Sequence, residues 1–121
     1  MKFEIVKGLD YTCSLVIKED GSTTGLALDV TDTARIMIST AGENSTTVVD
    51  WISMTQSDAP NGKFTVTIPS SDTSLLVSKV GFAEDNYNTI GNYQAVFDTN
   101  TVAQGHKTYI IDDVYVKDIG L

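Results

Sequence analysis

The chain has one cysteine, one histidine, one tryptophan and eight basic residues among 121. The lone Cys13 excludes an intrachain disulfide. It falls on the apolar side of an alternating run, where a buried, inert thiol is expected. Cys13 and His106 are the only soft or borderline metal ligands, so a zinc site is not expected. General acid–base catalysis near neutral pH usually recruits histidine. His106 follows Gly105 in a sequence that reads as a hairpin turn, which predicts a solvated turn side chain and no Cys–His or Ser–His–Asp arrangement. Eight Lys and Arg stand against sixteen Asp and Glu, a net charge of −8. That balance repels phosphate backbones and leaves no basic stripe, so neither nucleic acid nor an anionic membrane is an expected partner. No window approaches the ~20 apolar residues of a membrane helix. The start MKFEIVKGLD has no apolar signal core, and synthesis in a cytoplasm is the expectation. Glycines occur singly, at turns, and form no phosphate-binding loop.

What is present is alternation. A chain of this length is expected to form one domain, 1–121, and its 41% hydrophobic and 20% charged content is ordinary for a globular protein. Tyr11, Cys13, Leu15 and Ile17 share one parity, as do Ala34, Ile36 and Ile38. Phe64, Val66 and Ile68 repeat the pattern, and so do Tyr93, Ala95 and Phe97. Successive side chains of a strand point to opposite faces, so each run predicts a half-buried strand. The turn signals Glu19–Ser22, Ala41–Asn44, Pro60–Gly62 and Gln104–His106 separate the runs. Many short strands at this spacing predict an all-β, antiparallel β-sandwich.

Three segments need separate readings. NGKFTVTIPSSDTSLL (61–76) alternates into Pro69, which cannot continue a ladder. Ser70, Ser71 and Asp72 then read as the capped start of one short helical turn near residues 70–78, with Leu75 and Leu76 lidding the sandwich. Val48, Val49, Trp51, Ile52 and Met54 place apolar residues on both faces, as in a central strand or one touching a partner. From Tyr109 to Val116 the apolar pairs Tyr109/Ile111 and Val114/Val116 change parity across Asp112-Asp113. A bulge there restores one face, and a strand buried on both sides is the alternative.

Clustered oxygens occur at Glu84, Asp85, Asn86 and Asn88, and at Asp112, Asp113 and Asp118. Neither has the spacing of an EF-hand loop, so solvated acids are expected and no metal or cofactor is assigned. Asn44-Ser45-Thr46 matches a glycosylation acceptor and reads as an ordinary polar loop.

Taken in order, DYTCSLVIKEDGSTTGLALDVTDTARIMIS (10–39), NGKFTVTIPSSDTSLL (61–76) and GNYQAVFDTNTVAQGHKTYIIDDVYVKDI (91–119) make a pattern. It resembles the immunoglobulin-like module at the N-terminus of phage baseplate upper proteins and in related phage tail and fibre proteins. The resemblance implies an immunoglobulin-like antiparallel β-sandwich without catalytic residues that holds virion parts together. The insertion VSKVGFAEDNYNTIG (77–91) and the end of the sequence two residues after Ile119 depart from that pattern. The expectation is therefore a small accessory subunit of tail, baseplate, collar or capsid. It is located in the virion, made in the host cytoplasm, and contacts other virion proteins, with self-association left open.

Contact energy in such a subunit is expected from a few aromatic and aliphatic anchors: Phe82, Tyr87 and Ile90 in the insertion, together with Trp51. Trp51 also reads as the core tryptophan of the sandwich, and the insertion as a polar excursion packed on Phe82. The alternative function is a carbohydrate- or ligand-binding sandwich, with Trp51, Tyr87 and Tyr93 as stacking platforms. An enzyme is not expected.

Overall fold

The computed structural model describes residues 3–40, 45–76, 93–111 and 114–117. Nine strands occur among them: β1 (Phe3–Val6), β2 (Tyr11–Val16), β3 (Thr33–Thr40), β4 (Thr47–Ser53), β5 (Thr55–Asp58), β6 (Lys63–Ile68), β7 (Tyr93–Thr101), β8 (Gly105–Ile111) and β9 (Val114–Lys117). One sheet has the order β2-β6-β5, a second has β4-β3-β7-β8, and β1 pairs with β9. Antiparallel sheets in these two orders reproduce the B-E-D and C′-C-F-G arrangement of an immunoglobulin-like sandwich. Among the described residues the β1–β9 pair alone is parallel, a departure from the antiparallel pairing expected.

The alternating runs supply the core. Ile17, Ala34, Ile36, Ile38, Phe64, Val66, Ile68, Tyr93, Ala95 and Phe97 are all buried, as is Cys13. Each large apolar side chain removed from water in this way contributes about 1.5–3 kcal/mol. Phe3 from β1 reaches the centre, its ring 5.7 Å from Tyr11 in an edge-on contact and 5.9 Å from Phe97.

β4 is an edge strand, not a central one. Its register against β3 shifts twice, so that Ile52 faces Ile36 while Val49 faces Ile38. Two inward residues thus lie an odd number of positions apart, and the strand bends as bulged strands do. Trp51 is turned to the outer face, half-buried and outside the core cluster, which corrects its reading as the core tryptophan. The segment from Tyr109 to Val116 is likewise not one bulged strand. β8 stays with β7, whereas β9 pairs with β1, where Val114 and Val116 are fully buried. Asp112, Asp113 and the turn at 41–44 lie outside the described residues.

The proline handover occurs as expected, with a different cap. β6 ends at Ile68, and α1 spans Ser70–Thr73. Neither serine caps it. Asp10, from the loop before β2, accepts the Ser70 N–H at 2.8 Å. Thr73, fully buried, accepts the Gly8 N–H at 3.1 Å and donates to the Leu9 carbonyl at 2.8 Å, so the turn is pinned to the β1–β2 loop. Leu76 enters the core and Leu75 is exposed, so one leucine, not two, lids this end.

At the opposite end a single-turn 3-10 helix, Ala59–Asn61, ends at Gly62 with φ 75°. The segment after β2 is laid directly over it. Ile17 N–H donates to the Gly62 carbonyl at 2.9 Å, Leu26 N–H to that of Ile17 at 2.8 Å, and Leu28 N–H to that of Ala59 at 2.9 Å. A Cβ on Gly62 would stand 2.4 Å from the Ile17 oxygen. Gly62→Ala is therefore expected to cost about 2 kcal/mol or more in urea unfolding, from strain and clash together. Gly21→Ala has similar φ but open space around it, and is expected to cost about 1 kcal/mol. Equal losses at the two sites would mean that the close backbone approach contributes nothing.

Candidate functional site

The outer face of the four-stranded sheet carries an ordered row of side chains, one or more from every strand. Alternation sends Ala34 and Ile36 inward, so Arg35 points out, and Asp98 follows inward Phe97 in the same way. Register then places Arg35 opposite Asp98 and Asp98 opposite Thr108. Arg35 donates from Nε and Nη2 to Asp98 Oδ2, both at 3.0 Å. Thr108 Oγ1 donates to Oδ1 at 3.2 Å, and His106 Nε2 shares that oxygen. On the other side of Arg35, the guanidinium carbon lies 4.0 Å from the centre of the Trp51 ring. Stacking of this kind on an exposed face contributes about 0.5–1 kcal/mol.

Desolvation pushes the Asp98 carboxyl up, but hydrogen bonds from His106, Arg35 and Thr108, with the attraction of His106, outweigh it. The group is held below the ordinary carboxylate range. Four donor contacts fix both oxygens, so the row is preorganised. Beside it runs a second cross-strand row, Met37–Val96–Ile110, set by the same registers. Val96 is 6% exposed although it faces outward, and Ile110 is 56% exposed. A polar cleft of about 190 Å³, lined by residues including Thr33, Ser53, Asp98 and Asn100, flanks the polar row.

Of the residues singled out in the sequence, Trp51 joins this face. Phe82, Tyr87 and Ile90 lie outside the described residues, as do both acidic clusters. His106 is on strand β8, not in the turn, because the reversal occupies Val102–Gln104 just before it. It is exposed there and held by Asp98. Cys13 is buried, and burial pushes its thiol up to about 11, far from the thiolate form that reacts. Tyr93, read as a sugar platform, is 6% exposed. Among the described residues no group of three or more His, Cys, Asp and Glu side chains is placed to hold a metal ion. No helix among them is long and apolar enough to cross a membrane.

Sequence reasoning missed Arg35, Asp98, Thr108 and the Met37–Val96–Ile110 row. Their outward parity was readable, but which outward residues become neighbours depends on strand order and register. No protein-family model matches the chain, and neither does any curated protein.

The Asp98 cluster makes stability depend on acid. A carboxyl whose folded value is depressed contributes fully above the unfolded value, about 3.9, and the contribution disappears as pH falls through the lower folded value. Asp98→Asn is expected to lower stability by about 1 kcal/mol at pH 7, a modest figure because the cluster is on the surface. The deficit should shrink only below the ordinary carboxylate range. Urea titrations of both proteins from pH 7 to pH 2 check this, and a deficit constant across that range would contradict it.

Proposed function

We propose that this chain is a phage virion structural subunit that works by protein–protein contact, as a small accessory part of tail, baseplate, collar or capsid. The observation that supports it best is the outer sheet face, where exposed Ile110, at the end of a cross-strand row with half-buried Met37 and buried Val96, lies beside a polar row whose members are already fixed. Interfaces concentrate apolar side chains at their centre and draw their strongest anchors from Trp, Tyr and Arg. Because Asp98 holds Arg35 and Arg35 covers Trp51, docking on this face loses little side-chain freedom. The order of strand, Asp-Gly turn, proline-ended strand with a helical turn, then a Gly-x-Tyr strand, a turn and a final strand supports the phage reading through its resemblance to baseplate modules. A sugar-binding sandwich finds less support, since Tyr93 is buried and one face of Trp51 is taken by Arg35.

Mass spectrometry of purified virions is expected to find the chain at stoichiometric level, and its absence would refute the proposal. Trp51→Ala and Ile110→Asp are expected to leave a folded domain, each costing about 1 kcal/mol or less because neither side chain belongs to the core. Both should reduce incorporation into particles at least tenfold. Normal incorporation of both variants would remove this face from the contact.

A further inference from the structure

A sandwich has two open sides where sheet edges face one another, and here they are treated differently. On one side the chain closes the gap itself: β4 passes into β5 through Met54 alone, and the Met54 N–H donates to the Ala34 carbonyl at 2.8 Å. On the other side β2 and β8 are both edges. Among the described residues the β1–β9 pair reaches this seam at Tyr11, where Phe3 packs between the sheets. Further along the seam lies an apolar groove of about 260 Å³, with Leu15 and Ile17 on one wall, Tyr109 and Ile111 on the other, and Phe97 in contact with it. At its mouth Val16 is 41% and Tyr109 37% exposed.

The main chain on this side is also available. Ile17 N–H bonds across to Gly62, so ladder alternation turns the main-chain groups of Ser14, Val16 and Lys18 to the free edge. The Lys18 carbonyl is indeed met from that side, by Gln104 Nε2 at 2.7 Å. Among the described residues Ser14 and Val16 have no strand neighbour there. Lys18 has no side-chain partner among the described residues, whereas Lys107 is paired with Asp20 at 3.1 Å, so Lys18 offers an unpaired positive charge at the groove of a protein of net charge −8.

We infer that this seam binds an extended segment of a partner protein. The segment adds along the β2 edge, inserts a large apolar side chain between Ile17 and Tyr109, and sets an acidic residue against Lys18. Edge pairing supplies main-chain hydrogen bonds, and a pocket for alternate side chains supplies selectivity. A small-molecule site is less well matched, since those usually occupy about 300–1,000 Å³. The inference rests on the reading of the chain as a protein-contact module. It is tested on the isolated domain, so its failure leaves the virion assay standing, and the reverse.

The test titrates the isotope-labelled domain with short acetylated peptides alternating Ile and Thr, each carrying either one Glu or one Lys near its end. Saturable amide shifts centred on Val16, Lys18 and Tyr109 are expected, with the Glu peptide binding at least threefold tighter. Lys18→Glu is expected to abolish or reverse that preference while leaving the spectrum of the folded domain otherwise intact. Tyr109→Ser is expected to weaken both peptides. No saturation by any peptide, equal binding of Glu and Lys forms, or shifts centred on the β4 edge would each overturn the inference. Concentration-dependent broadening of the same amides without peptide would also overturn it, by making a second copy the occupant.

Discussion

Strand β7 constrains both faces of the larger sheet at once. It lies between β3 and β8 and is paired along its length, so its register is fixed on both sides. With period-two geometry, one strand then decides what is inside and what is outside. Phe97 goes in, fully buried and against Phe3, while its neighbour Asp98 goes out to collect Arg35, Thr108 and His106. A slip of one residue would bury a carboxylate with its partners on the wrong side and expose a phenylalanine. Core and candidate site are therefore two results of a single register.

The second constraint is closure. Unpaired strand edges invite pairing with other chains, and natural sheets cover, shorten or charge them. This chain covers one side by running β4 straight into β5, and covers part of the other with the parallel β1–β9 pair. The break after β8 has the same origin. Val114 and Val116 are buried against the core only because β9 leaves β8's sheet and takes β1 as its partner. Among the described residues, what stays open is the far part of the β2–β8 seam.

The sequence was readable where the information is local. Phe64, Val66 and Ile68 announce β6, Pro69 announces its end, and Gly62 sits at the positive φ its turn requires. The turn after Pro69 was legible too, as a location. Its cap was not, because Asp10 is sixty residues away and reaches Ser70 only once β2 has paired with β6. The choice between Trp51 as core tryptophan and as outward anchor was not legible, for a related reason. The register shift between the Ile36 and Ile38 pairs inverts the parity between Ile52 and Val49, and no pattern within Val48–Met54 records it. The Arg35–Asp98 pairing spans sixty-three positions and is set by strand order. Alternation says which side a residue faces, but not which neighbour it meets there.

The composition gains meaning from that pairing. Arg35 is the sole arginine of the chain, against seven lysines. Its position asks for two things that an ammonium cannot give together. A planar guanidinium can lay its face on the Trp51 ring while its edge N–H groups reach one carboxylate, whereas a lysine offers a compact, strongly hydrated charge that satisfies one contact at a time. The row thus couples an aromatic on an edge strand to a carboxylate on the central strand through one rigid plane. Rigidity of this kind has little value on a merely solvated surface, where mobile charges serve as well. It has value where another surface must be met in a defined orientation, because the ordering has then been completed by the fold before contact is made.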